Sequence, residues 1–150
     1  MFLNKQKLVK LFVINYQTSV NRFSRNMDIE VLREICIQKK GVTESFPFDE
    51  NTLVFKVGGK MFLLVSLQNA ESFNVKCDPE KAVQLREEYD EIKPGYHMNK
   101  VHWNTVSMKG RLSFQLLKEM IDHSYDLVFN SLPKKLKEEI NKENELGTEG

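Results

Sequence analysis

The spacing of hydrophobic positions changes several times along the chain, and each change predicts a different element. From Asp28 the apolar residues recur at helical spacing with charged residues between them, and Gly41 follows as a stop. Two β-rich runs, TLVFKV (52–57) and KMFLLVSL (60–67), then flank a Gly-Gly pair at 58–59. We therefore predict an amphipathic helix followed by a tight β-hairpin.

Two more strands are indicated by alternation of apolar and polar residues. SFNVKC (72–77) alternates without a break, and VHWNTVSM (101–108) has the same period. The fold class we predict is α+β, with an antiparallel β-sheet and helices packed on one face, because the chain lacks a regular strand-helix-strand alternation.

Capping residues predict two further helices. Asp78 precedes Pro79, which is the combination of N-cap and first helical residue, so a short helix should run to about Tyr89. Ser113 has the same capping role for a long helix that should end near Ser131.

Residues two apart on a strand share a face, so the hairpin predicts which side chains are buried. A two-residue turn opposes Val57 to Lys60, Phe55 to Phe62 and Leu53 to Leu64, and these become core. The other face of the hairpin then receives Met61, Leu63 and Val65 together with Thr52, Val54 and Lys56. In the later strands we expect one set of side chains to point inward: Phe73, Val75, Cys77, Val101, Trp103 and Thr105. The outer face is then predicted to collect Lys56, Asn74, Lys76, Lys100, His102 and Asn104. Such a face suits a polyanion or a partner protein, or it is a solvated surface.

Composition and charge fit one domain of 150 residues with 41% hydrophobic content. The chain has 22 basic and 21 acidic residues, but residues 1–26 hold five basic side chains and no acid. The remainder therefore has 17 basic and 21 acidic residues. This acidic balance disfavours nucleic-acid binding by bulk charge, although it leaves room for a local basic patch.

The composition also limits compartment and boundaries. Two cysteines favour reduced thiols in a cytoplasmic protein, and apolar runs near 20 residues, as a membrane span requires, are missing. We expect residues 1–26 to be a basic extension, with a signal peptide or organellar presequence as the alternatives. The domain should span residues 27–136, and the charged residues 137–150 should form a flexible tail.

Chemically reactive residues are sparse. His97 and His102 are five residues apart, which suits neither a strand nor a helix chelate, so we expect no metal or other cofactor. Cys77 precedes a helix, where a thiolate is favoured, yet its inward position makes a structural thiol the preferred interpretation. Tyr96 and His97 follow Pro94-Gly95 in a loop, and they are the best single-site candidates outside the sheet.

Four separated motifs carry a family resemblance. FPFDENTLVFKVGGKMF, NVKCDPEKA, PGYHMNKVHWNTV and IDHSYDLVFNSLPKKL occur in this order between about Met27 and Leu136. Together they resemble the MmcQ/YjbR family. The resemblance implies a frataxin-like (CyaY-like) fold and a DNA-binding protein with two wings: the hairpin Lys56–Lys60 and the segment Tyr96–Asn104. It does not extend to the iron chemistry of frataxins, because the first helix is less acidic and contains Arg33.

The function we expect is therefore non-enzymatic DNA binding. Lys56, Lys60, Lys76 and Lys100 would contact phosphates, and His97, His102 and Asn104 would position the DNA or contact base edges. The alternative is an adaptor that binds a protein or a small ligand on the same half-apolar face. A third possibility is an enzyme or cation site around Tyr96, His97 and His102.

Overall fold

A computed structural model describes residues 26–147 of the chain. Its helices are α1 Ile29–Ile37, α2 Pro79–Glu88, α3 Phe114–Asn130 and α4 Lys134–Gly147. Its strands are β1 Val42–Ser45, β2 Thr52–Val57, β3 Lys60–Ser66, β4 Ser72–Lys76, β5 Ile92–Pro94 and β6 Trp103–Ser107. The expectations for residues 1–25 lie outside the described residues.

Three helices begin at the residues that the sequence predicts. The side chain of Asp28 accepts a hydrogen bond from the backbone N–H of Val31 at 2.9 Å, and Asp78 and Ser113 cap α2 and α3 in the same way. Each side-chain oxygen pairs with a backbone N–H that has no partner within its helix. The capping predictions for Asp78 and Ser113 are confirmed.

The six strands form one sheet in the order β1-β2-β3-β4-β6-β5, with every neighbouring pair antiparallel. Helix α3 crosses the back of this sheet. The Ser124 hydroxyl donates to the Phe62 carbonyl at 2.5 Å and accepts from the Lys76 N–H at 2.8 Å. The predicted class is confirmed: an α+β domain with an antiparallel sheet and helices on one face.

The main core lies between the helices and one face of the sheet. Its fully buried side chains include Leu32, Phe55, Phe62, Phe73 and Ile121. Phe62 meets Tyr125 of α3 edge-on, with ring centroids 5.4 Å apart. We call the opposite face of the sheet the open face.

The predicted hairpin pairing is wrong beyond its first pair. Val57 opposes Lys60 as expected, but a β-bulge shifts the register, so Phe55 opposes Leu63 and Leu53 opposes Val65. A bulge inserts one extra residue into a strand, so Phe62 and Leu63 both reach the core. Alternation beyond the bulge is consequently reversed.

The predicted faces of β6 are also reversed. Val106 is in the main core and opposes Phe73, so Asn104 shares the helix side of the sheet. Trp103 and Thr105 lie on the open face, and Val101 is exposed in a turn. The physical reason is that Trp103 is buried on the open face, where Met98 of the preceding loop packs against its cluster, so its apolar character does not mark the helix side.

Most of the segment that we expected to be a flexible tail, residues 137–150, is helical. Helix α4 continues to Gly147, and Ile140 is buried in the main core. Ile140 is an isolated apolar residue in a segment rich in Lys and Glu, so periodicity did not predict this packing. Residues 148–150 lie outside the described part of the chain.

Candidate binding site on the open sheet face

Charged side chains of one sign mark the open face. Of the strand residues that the structure describes, this face receives three charged side chains, and all are lysines: Lys56, Lys76 and Lys93. Lys76 opposes Trp103, and Lys93 opposes Thr105. The acid of β1, Glu44, lies on the helix side, where the Arg33 guanidinium donates to its carboxylate at 2.6 and 2.7 Å.

A loop of residues 95–102 folds over part of the open face. Its Met98 packs against a second apolar cluster, formed by Val54, Leu64 and Trp103. Trp103 is only 7% exposed because the loop covers it. We call residues 95–102 the roof loop.

Gly95 allows the roof loop to lie close to the sheet. Its N–H donates to the Trp103 carbonyl at 2.8 Å, and a Cβ at this position would stand 2.7 Å from the Trp103 Cβ. Atoms that close must move apart, so only glycine permits this approach. The Lys100 ammonium donates to the Gly95 carbonyl at 3.1 Å and fastens the other end of the loop.

Arg86 of α2 supports the roof loop from behind. Its guanidinium donates to the Asn104 Oδ1 at 2.6 Å, to the Trp103 carbonyl at 3.2 Å and to the Lys100 carbonyl. Asn104 is 1% exposed, and its Nδ2 is without a hydrogen-bond partner within the described residues. These contacts join α2 to the roof loop. Asn104 therefore has a structural role.

Beside the roof loop the open face contains a cavity of about 530 Å³, which we call the hollow. Its polar floor consists of Thr52, Ser66, Asn69, Ser72, Asn74 and Thr105. Its apolar and aromatic walls include Phe48, Leu64, Tyr96, His97 and Met98. His97 is the one histidine in this set, which contains no carboxylate, lysine or arginine.

A chain of hydrogen bonds connects the wall of the hollow to its floor. The Thr105 hydroxyl accepts from the Tyr96 N–H at 2.9 Å and donates to the Asn74 Oδ1 at 2.5 Å. The Tyr96 and His97 rings lie 4.0 Å apart, and His97 has φ 57°, a left-handed conformation that His adopts more readily than most residues. The loop therefore presents both rings in a fixed arrangement.

The residues predicted as a nucleic-acid site do not converge at one point. Lys56 and Lys76 lie half-buried on the open face, whereas Lys60 is exposed near the hairpin turn. His97 lines the hollow. His102 is exposed, and its backbone carbonyl accepts from the Cys77 N–H at 2.8 Å.

Two members of that predicted set have other contacts. The Lys100 ammonium is bonded within the roof loop, and Asn104 faces the helices, so the outward assignment of Asn104 is wrong. Alternation in the correct register would have identified Thr105, and the short strand β5 would have identified Lys93. Phe48 lies in a loop, where no periodicity marks it.

The remaining candidates for chemistry are structural. Burial raises the pKa of both thiols, Cys36 and Cys77, so neither is an activated nucleophile. Groups of three or more metal-binding side chains are absent from residues 26–147. His123 accepts a hydrogen bond from the Asp78 N–H at 3.2 Å, beside the N-terminus of α2.

The sheet with helices on one side and a loop-roofed hollow on the other defines a small α+β domain whose cavity lies on the open face. The YjbR family model matches residues 37–127, and two proteins of Escherichia coli are similar to the chain. YbdF of strain O157:H7 is 38% identical over 107 residues, covering 71% of this chain and 88% of YbdF. YjbR of strain K12 is 32% identical over 109 residues, covering 72% and 92%. The chain belongs to the YjbR family, which confirms the resemblance.

Solved structures share the fold. The DUF419 domain protein DR2400 of Deinococcus radiodurans has a TM-score of 0.74 and 35% identity, covering 79% of this chain and 92% of that protein. A protein from Pseudomonas syringae has a TM-score of 0.59 at 24% identity, with coverage of 68% and 99%, which supports the fold alone. Among the described residues, the helices are too short or too polar to cross a membrane.

Proposed function

We propose that this chain is a non-enzymatic DNA-binding protein that uses the open face of its sheet. The observation that carries the proposal is the charge of that face: its described strand residues include Lys56, Lys76 and Lys93 and no carboxylate. Lysine ammonium groups are suited to phosphates, and phosphate contacts supply most of the sequence-independent affinity for DNA. The acidic balance of residues 27–150 does not oppose this, because Glu44, the one acid among the described strand residues, faces the helices.

The predicted phosphate-binding set changes in two places. Lys93 joins it, because it extends from β5 beside Thr105. Lys100 leaves it, because its ammonium closes the roof loop. Lys60 stays as a peripheral contact near the tip of the hairpin wing.

A salt titration of DNA binding tests the proposal. We expect labelled duplex DNA to be retarded at low salt, and log affinity to fall against log salt with a slope of about −2.7 if three phosphates are neutralised. Changing Lys56, Lys76 or Lys93 to Gln should each make that slope shallower by about 1. Lys134→Gln is the matched control, because that side chain is 90% exposed on α4, away from the open face. Absence of retardation, or a salt-independent affinity, would overturn the proposal.

The hollow favours a second function, that of an adaptor for a protein segment or a small ligand. A concave site with apolar walls and a few polar groups is the usual form of a ligand pocket. This function requires binding that is indifferent to Lys76→Gln but sensitive to Tyr96→Ala. Leu63, which the sequence placed on this face, belongs to the main core and is not a suitable probe.

The frataxin-like (CyaY-like) topology and the cytoplasmic location also belong to the proposal. The first is supported by the family resemblance and by the helices on one sheet face, and superposition on a solved frataxin would test it. The second is supported by the two free, buried cysteines, and cell fractionation would test it.

A further inference from the structure

Two exposed aromatic side chains border the hollow. Tyr96 is 69% exposed and Phe48 is 64% exposed, and both line the cavity. Large aromatic side chains are usually buried, so aromatic rings at the mouth of a cavity indicate a surface for contact. Nucleobases stack on such rings irrespective of sequence.

The floor of the hollow has the chemistry of base edges. Asn74 provides an amide, and Ser66, Ser72 and Thr105 provide hydroxyls. These groups are neutral donors and acceptors, like the edges of an unpaired base. A phosphate is disfavoured inside the hollow, because none of the lysines of the open face lines it.

The lysines of the open face lie beside the hollow, where the phosphates of a bound nucleic-acid strand would pass. Lys93 opposes Thr105 across β5 and β6, and Lys76 is two residues from Asn74 on the same face, about 7 Å along the strand. A base in the hollow would therefore have cationic groups beside its own backbone.

One acidic residue, Asp49, stands at the end of the hollow that Thr52 lines. The carboxylate of Asp49, next to Phe48, accepts from the Asn51 N–H at 2.8 Å and from the Thr52 N–H at 2.6 Å. The end of the hollow at Thr52 is therefore acidic, so a nucleic-acid backbone would follow the lysines of the open face instead.

From this arrangement we propose that the hollow binds an unpaired nucleobase. The protein then has a higher affinity for single-stranded nucleic acid than for duplex. The inference rests on the proposed DNA-binding function and specifies its ligand. In a duplex the bases are stacked on each other, and the rings of Tyr96 and Phe48 reach only a base that has left the stack. The lysines alone would not distinguish the two forms.

Fluorescence anisotropy with a labelled 12-nucleotide thymidine strand, compared with the duplex that contains it, tests the inference. We expect the single strand to bind at least about 10-fold more tightly at low salt. Tyr96→Ala and Phe48→Ala should each weaken single-strand binding roughly 5- to 100-fold and leave duplex binding nearly unchanged. Tyr96→Phe should keep the affinity, because the ring remains.

Val83→Ala is the control for removing an exposed apolar side chain, because Val83 is 48% exposed on α2, away from the hollow. Both aromatic side chains are exposed, so we expect their variants to fold, and thermal unfolding verifies this. An oligonucleotide of abasic sites tests the same contact without any mutation. It should bind as weakly as the Tyr96→Ala variant binds thymidine.

The outcomes separate this inference from the proposed function. Equal affinity for single strand and duplex, with lysine variants weakening both and Tyr96→Ala weakening neither, overturns the inference and preserves DNA binding. No binding to either form overturns both, and capture of a peptide in the hollow would then support the adaptor. A uridine strand of the same length shows whether the preferred single strand is DNA or RNA.

Discussion

At the scale of single residues, His123 lies outside the open face, and its surroundings should make the folding stability depend on pH. Its Nε2 accepts from the N–H of Asp78, so the neutral imidazole serves as an acceptor beside the N-terminus of α2. Burial, and then the nearby charge of Lys81, lower the pKa of His123, while Asp78 and Asp126 act in the opposite direction. The folded protein therefore binds this proton less readily than the unfolded chain does.

The sign of the effect on stability follows from that direction. Above the ordinary histidine pKa of about 6.5 the imidazole is neutral in both states, and folding carries no penalty. As pH falls below that value the unfolded chain takes up the proton first, so the free energy of unfolding decreases. We expect urea unfolding midpoints to fall between pH 7.5 and 5, with a smaller fall in His123→Gln.

Gln is the appropriate replacement because its carbonyl oxygen also accepts from a backbone N–H but does not titrate. His102→Gln is the control, because His102 is exposed. An identical pH dependence in His123→Gln and the unchanged protein would contradict the assigned role.

At the scale of elements, capping residues and strand alternation predicted α1, α2, α3 and most of the sheet. The predicted sheet faces of the side chains were wrong where a local irregularity interrupts the alternation. The bulge at Phe62 shifts the register by one residue. The roof loop buries Trp103 on the open face, so this apolar residue does not mark the helix side of β6. Bulges and loop excursions depend on tertiary contacts, such as the one between Gly95 and Trp103, and these have no periodic signal in the sequence.

The β2–β3 turn offers a matched pair of glycines for a test at this scale. Gly58 and Gly59 have φ values of 57° and 79°, so alanine at either position is strained. A Cβ on Gly58 would approach the Leu132 Cδ1 to 2.6 Å, whereas a Cβ on Gly59 has no atom within 4 Å. Leu132 is buried and has little room to move.

We therefore expect Gly58→Ala to lower the free energy of unfolding more than Gly59→Ala does, by roughly 1 kcal/mol, which is a typical cost of overpacking. Chemical denaturation of the two variants measures the difference. Because the backbone strain is similar in both, equal losses would show that Leu132 does not constrain the turn.

At the scale of the whole molecule, the two sides of the sheet differ in the side chains that they present. The helix side holds the main core and the buried Arg33–Glu44 pair, while the open face presents lysines and the hollow. Net charge could not predict this division, because opposite charges on separate faces cancel in the total. The motifs that carry the family resemblance predicted the fold class but not the cavity, because two separate loops, the roof loop and the loop around Phe48, provide its walls.

Helix α4 packs against one end of the domain. A substitution in this helix tests whether it contributes to the stability of the fold. Ile140 packs against the turn before β1, where a Cβ on Gly41 would stand 2.7 Å from the Ile140 Cγ2, and Leu136 lies beside Gly58 in the next turn. Ile140→Ala should lower the free energy of unfolding by about 2–4 kcal/mol, through lost burial and a cavity. Asn141→Ala, at an exposed neighbouring position, should have little effect.

DNA affinity of the folded Ile140→Ala protein should remain unchanged, because α4 lies on the side opposite the hollow. Unfolding monitored by circular dichroism and anisotropy on the same samples provide both values. A stability like that of the unchanged protein would mean that α4 does not belong to the cooperative unit. A loss of affinity without unfolding would mean that the two faces are coupled, since none of the described side chains of α4 lines the hollow.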